Sequence, residues 1–158
     1  MFGAMFIERP KWDSYKFSDV IEDISRLGTK IPKDDYLAEG SYAIVDQSQD
    51  YICGYRNEPD GLFENVPVIV FGDHTRCFKY IDFPLFMGAD GVKMLQIKRD
   101  DVDYRFMIEE LRQMPLPNMG YNRHFRWLKE FPIYLPPYEL QLKYRAMVEQ
   151  SDKSKFVR

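Results

Sequence analysis

The run Asp73-His74-Thr75-Arg76 gathers an acid, an imidazole, a hydroxyl and a guanidinium in four consecutive residues. Such a set can move a proton or hold a phosphate. Neighbouring side chains of a turn point in different directions, however, and the sequence holds only one other histidine, His124. Three readings stay open. The run is a turn that hydrogen-bonds its own backbone, a contact to DNA through His74 or Arg76, or the centre of a small metal-dependent phosphodiester hydrolase using Asp73 and His74. The last lacks its usual company, since no Asp or Glu is followed two places later by Lys, and no HExxH, GxSxG or Cys/His cluster is present. Leu135-Pro136-Pro137-Tyr138 echoes the Asn/Asp-Pro-Pro-Tyr that holds a target amine in amino-methyltransferases. Leu135 cannot accept the amine's hydrogen bond, and no FxGxG-like loop accompanies it, so the diproline reads as a linker. No metal and no cofactor is expected.

The second concentration of functional types is Asn122-Arg123-His124-Phe125-Arg126-Trp127-Leu128-Lys129. As a helix it would carry Arg123, Arg126 and Lys129 on one face, with Phe125 and Leu128 turned inward. Arginine pairs bidentately with phosphate or with the guanine edge, so the patch suits nucleic acid. A solvated basic face over an aromatic core is the plainer reading.

These groups need a scaffold. Lys16–Gly28 reads as an amphipathic helix with Ser18 as N-cap, Phe17, Val20, Ile21, Ile24 and Leu27 on one face, and Gly28 at its C-terminal turn. Strands are expected at Tyr42–Val45 and Tyr51–Tyr55, joined by the polar turn Gln47–Asp50. Val66–Phe71 is a short apolar run rich in β-branched residues, the pattern of a buried strand. Cys77–Ile81, Phe83–Met87 and Lys93–Ile97 extend the β region. Val102–Met114 has helical spacing and is stopped by Pro115 and Pro117. After an extended proline-stiffened link, a helix begins near Pro137. Its stripe of Leu140, Tyr144, Met147 and Val148 seeks its own domain or another helix.

Composition narrows the class. The 158 residues suit one domain with an appendage, and 16% of them are aromatic. No stretch approaches the roughly 20 apolar residues of a membrane span. The apolar start, Met1–Ile7, lacks the basic residues and length of a secretory signal. Cys53 and Cys77 are too few for a disulfide framework and match no zinc spacing. A cytoplasmic protein fits these features. The net charge of −3 is unlike a simple electrostatic DNA binder. Its distribution is uneven, however. Residues 1–75 carry 7 basic against 14 acidic residues, and residues 76–158 carry 15 against 11. A phosphate-facing surface should therefore come from the second half.

Taken in order, six segments resemble the target-recognition domain of specificity subunits in type I restriction–modification systems. They are Val45-Asp46-Gln47-Ser48, Gly72-Asp73-His74-Thr75-Arg76, Gly88-Ala89-Asp90-Gly91, Gly120-Tyr121-Asn122-Arg123-His124, the junction Leu135-Pro136-Pro137-Tyr138-Glu139, and Val148–Lys155. The resemblance runs from about Trp12 to Lys155. It implies an α+β fold: a single globular recognition domain (1–134) with a mixed or antiparallel β core, then a junction and the start of a spacer and dimerisation helix (135–158). It implies a non-catalytic reader of double-stranded DNA whose partners are the methyltransferase (modification) subunit, the restriction subunit, and a second copy or second specificity half. On this reading Lys79, Lys93, Arg123, Arg126 and Lys129 anchor phosphates, Arg76, His124 and Gln47 or Ser48 read bases, and His74 is a further DNA contact. Leu140, Tyr144, Met147 and Val148 meet the partner helix. Family members usually carry two recognition domains separated by two long helices, whereas this sequence offers one domain and a tail short for a full spacer helix. The rival class is a protein-interaction or remnant domain without DNA binding, which the acidic first half favours. Steep salt dependence of binding separates the two.

Overall fold

The structure, a computed structural model, describes residues 2–118 and 123–156, with side chains for 4–118 and 123–151. In chain order its elements are α1 (Phe2–Phe6), β1 (Asp13–Tyr15), α2 (Phe17–Val20), β2 (Ile21–Asp23), β3 (Lys30–Ile31), β4 (Tyr42–Val45), β5 (Gly54–Arg56), β6 (Val68–Gly72), β7 (Phe78–Ile81), β8 (Leu85–Gly88), β9 (Val92–Ile97), α3 (Tyr104–Arg112), α4 (Phe125–Leu128), β10 (Ile133–Leu135) and α5 (Tyr138–Phe156). Short 3-10 turns occupy Arg9–Lys11, Ser25–Leu27 and Lys33–Asp35.

Two four-stranded sheets and a ribbon result. The first sheet, in the order β2-β9-β6-β7, is antiparallel throughout. The second, β3-β8-β4-β5, is mixed, because β8 runs parallel to both β3 and β4. β1 and β10 pair antiparallel, matching Asp13 with Leu135 and Tyr15 with Ile133. The architecture is α+β with a C-terminal helix, as expected.

β6 shows how the layers form. All five of its residues are buried, because both faces of the first sheet are covered. Alternation sends Val68 and Val70 into an apolar cluster shared with Val45, Leu85 and Met87 of the second sheet. Ile69 and Phe71 face the other way, toward Phe106, Leu111, Phe125, Leu128 and Tyr144 under the helices. The order is helices, first sheet, second sheet.

Several expectations are corrected. Lys16–Gly28 is not one helix: after the four residues of α2 the chain becomes β2, pairing Ile21, Glu22 and Asp23 with Ile97, Gln96 and Leu95. The apolar spacing suited either state, and strand pairing at the sheet edge outweighed the local helical pattern. Ser18 is therefore no cap; Lys16 holds that position, without a side-chain bond. Gly28 has φ −90, and its smallness serves close packing, since a Cβ there would come 2.4 Å from the Met87 sulfur. The proline-stiffened link contains β10. In α5, Tyr144 is 5% exposed and Val148 packs on the same core, so this part of the expected partner-facing stripe is spent on its own domain. Leu140 and Met147 are half-buried, and it is Tyr138 and Leu142 that face outward.

Candidate nucleic-acid interface

Three loops meet at one end of the sheets. β4 and β8 are parallel and end together, and β6 ends beside the start of β9, where Gly72 pairs with Val92. The segments following β4, β6 and β8 are thereby brought side by side, and each contains residues of one of the six segments quoted above.

Gln47 ties them. Its Oε1 accepts the amide N–H groups of His74 (3.0 Å) and Thr75 (3.4 Å), and its Nε2 donates to the Asp90 carbonyl at 3.3 Å. Gly91, at φ +67, allows this closeness, because a Cβ there would stand 2.3 Å from Gln47 Nε2. Arg76 and Asp90 also take positive φ, 62 and 51. A left-handed arginine is uncommon, and such backbone gathers at functional loops.

Asp73 fastens the segment before α4. It is 1% exposed, and Oδ1 accepts the N–H groups of His124 (2.9 Å) and Phe125 (2.7 Å). α4 has no cap from its own N-terminal residue, so this carboxylate from a distant turn supplies one. Arg123 adds an ion pair at 3.3 Å, although it is 67% exposed. The Asp73 carbonyl meets His124 Nδ1 at 2.9 Å. The acid of the Asp73–His74 pair is thus occupied with backbone. Among the described residues, no group of three or more His, Cys, Asp or Glu is placed to hold a metal ion.

Beyond this clasp lies a cationic and aromatic surface. Lys93 and Lys129 hold their ammonium groups 5.4 and 5.1 Å from the centre of the Phe125 ring, and Arg126 lies 4.8 Å from that of Trp127. Lys93 also pairs with Asp23 at 3.7 Å. Arg126, Trp127 and Lys129 are exposed. The expected single helical face is shorter than its pattern, since Arg123 precedes α4 and Lys129 caps its end. Of the three cations, Lys129 meets Phe125, Arg126 lies over Trp127 and Arg123 pairs with Asp73.

Four sequence candidates prove to be occupied. Register explains Lys79: it sits opposite Val70 and shares that residue's inward face. At 7% exposure its Nζ donates to the carbonyls of Asp46 (2.8 Å) and Asp50 (2.5 Å), which removes it from phosphate anchoring. His124 is fully buried and cannot reach a base edge. Gln47 is a brace. The Ser48 hydroxyl lies 3.1 Å from the Cys53 thiol. His74 and Arg76 are half-buried, and Arg76 Nη1 reaches the Leu116 carbonyl at 3.4 Å. Gly120, Tyr121 and Asn122 of the fourth motif lie outside the described residues.

The turn Gly72–Cys77 stands between two cavities, with Thr75 and Ser48 lining both. One, of about 470 Å³, is bordered by Arg76, Arg112 and Gln49. The other, of about 540 Å³, is walled by Tyr36, Asp46, His74 and Lys33. Sequence reasoning missed Asp46 as a site residue, although Asp-x-Ser is an Asx-turn pattern that aims a carboxylate at local donors. Its Oδ1 accepts the Ser48 amide and the Cys53 thiol, both at 2.8 Å, and Oδ2 accepts the Tyr36 hydroxyl at 3.1 Å. Burial opposes ionisation of Asp46, but these bonds outweigh it and hold the acid below its ordinary range. Burial, then the Asp46 charge, pushes the Tyr36 hydroxyl upward, and burial, then the hydrogen bond to Asp46, pushes the Cys53 thiol upward.

The fold is shared with type I specificity subunits. Over 95% of this chain it superposes on the type I restriction–modification S subunit from M. genitalium, with a TM-score of 0.64 and 16% identity. The HsdS subunit from Thermoanaerobacter tengcongensis matches 92% of the chain at TM-score 0.54 and 18% identity. A third match, from a structural study of complex assembly and conformational transition of the type I R-M system, gives 0.62 over 92% at 18% identity. At such identities the likeness is one of fold. The chain spans 41%, 38% and 39% of those three chains, about two fifths of each. No protein-family model matches the sequence, and no curated protein matches it significantly. The architecture matches, at the level of fold, part of a type I specificity subunit.

Proposed function

We propose that this chain is a non-catalytic DNA-reading module of a type I restriction–modification system, which directs the modification and restriction subunits to their site. The fold likeness supports this reading. The observation that carries it is the loop end itself: three loops locked together by Gln47 and fastened by Asp73 to an exposed cation–aromatic surface. Phosphate contacts position a protein on DNA and base contacts specify the sequence. Arg123, Arg126, Lys129 and Lys93 serve the first task, Arg76 and His74 the second. A second copy, or a second specificity half, reads the other half-site; two identical readers see a symmetric split site.

The test is a binding selection from a randomised duplex pool, with and without a methyltransferase subunit, at two salt concentrations. Enrichment of a short sequence, with affinity falling steeply as salt rises, is expected. No enrichment in either condition would favour the protein-interaction reading that the acid-rich residues 1–75 also suit.

A further inference from the structure

Asp46 has no role in the assignment above, and the cavity it shares with His74 has a definite chemistry. Asp46 presents an ionised, acceptor-only group to a space of about 540 Å³ walled by the Tyr36 ring and the His74 imidazole. Its Oδ1 is saturated by two donors, whereas among the described residues the hydrogen bond to Oδ2 comes from the Tyr36 hydroxyl, and a carboxylate oxygen with one donor retains acceptor capacity at a cavity that Asp46 lines. The carboxylate is also immobile. Gly88 lets Tyr36 and Asp46 close together, since a Cβ there would lie 2.3 Å from both the Tyr36 hydroxyl and Asp46 Cβ. Lys79 Nζ, on the Asp46 carbonyl at 2.8 Å, places a positive charge behind the acid and moderates its repulsion toward a polyanion.

Across the Gly72–Cys77 turn the polarity reverses, because Arg76 and Arg112 offer only donors. A ridge with a donor on one flank and an acceptor on the other can distinguish bases by the donor and acceptor pattern of their edges. Building on the DNA-reading assignment, we infer that Asp46 is a base-reading residue, accepting a hydrogen bond from the exocyclic amino group of an adenine or cytosine seated against Tyr36 and His74. Tyr36 is its positioning residue. A fixed carboxylate accepts from an amine and repels the carbonyl that thymine or guanine presents at the same place.

The experiment starts from the duplex enriched in the selection. Each adenine and each cytosine of the site is replaced in turn by purine or 2-pyrimidinone, which lack the amino group, and affinities are measured for the full chain and for Asp46→Asn. At one position the wild type loses about ten-fold or more, and Asp46→Asn loses less than two-fold on the same replacement. Equal losses for both proteins at every position overturn the inference while leaving the DNA-reading assignment intact. An empty selection removes that assignment itself. Should Asp46→Asn not fold, Tyr36→Phe serves. It keeps the carboxylate and lessens the amine effect at that one position; a uniform change at all positions, or none, overturns the proposal.

Discussion

Two buried carboxylates, Glu110 and Asp73, do similar work in different parts of the molecule. Glu110, fully buried on α3, takes a two-bonded grip from Arg9 (2.6 and 2.9 Å) and the Tyr134 N–H at 2.8 Å. It ties the N-terminal segment and β10 to the helical layer, beside a polar knot in which Gln141 bonds Asp103, Asp101 and Pro136 and Arg145 bonds Asp103. Asp73 likewise accepts backbone N–H groups and one arginine, but Arg123 reaches it from solvent. Where the arginine is enclosed, the ion pair is part of the fold. Where it is exposed, the pair contributes little and the backbone bonds hold the loop. Arg123 can therefore turn to a phosphate at small structural cost.

Removing each partner sharpens the contrast. Arg9→Ala leaves Glu110 buried and unmatched, and should cost about 3–5 kcal/mol in denaturant unfolding. Asp73→Ala strips the acceptor from the buried Phe125 N–H and leaves that of His124 only the residue-73 carbonyl, for a loss of about 1–3 kcal/mol. Hydrogen exchange should then show amides 124 and 125 exchanging faster while those of α3 stay protected. Arg123→Ala should cost no more than about 1 kcal/mol. A loss as large as that of Arg9→Ala would end the distinction between the two sites. Arg126→Ala should leave stability unchanged, weaken all duplexes about equally and lower the salt slope by about 1.

The smallest effects concern pH, and here the carboxylates diverge in sign. Burial raises Glu110 above its ordinary 4.5 despite Arg9 and the Tyr134 amide, so its contribution is complete below that value and declines as pH rises through the raised one. Asp46 is lowered from 3.8, so its contribution is present above 3.8 and is lost as pH falls through the lowered value. Urea melts of Asp46→Asn between pH 2.5 and 5 should show a shallower acid limb than the wild type.

Much of this was legible in the sequence where one signal dominated. Val66–Phe71 announced the buried strand, the helical spacing of Val102–Met114 gave α3, and Phe125 and Leu128 were placed inward. What escaped depended on partners distant in the chain. No local pattern shows that Ile21–Asp23 will pair with β9, or that Lys79 will be drawn inward by the carbonyls of Asp46 and Asp50. The candidate site divided in the same way: cations around α4 were recognisable as types, but His124 and Gln47 were claimed by contacts with residues 73–75 and 90. Asp46 and Tyr36, ten residues apart, became a pair only once β8 placed Gly88 between them.

The order of strands also bears on how the chain reaches this state. β8 must slot between β3 and β4, joining residues 30 and 87, and β1 waits for β10, joining residues 13 and 135. Contacts so distant in sequence place the domain among slow folders, on the millisecond-to-second scale. A nascent chain halted before Leu135 lacks part of the closing ribbon. The N-terminal strand is thus left to seek a partner on the ribosome, and synthesis of the last strand becomes the moment at which the domain can lock.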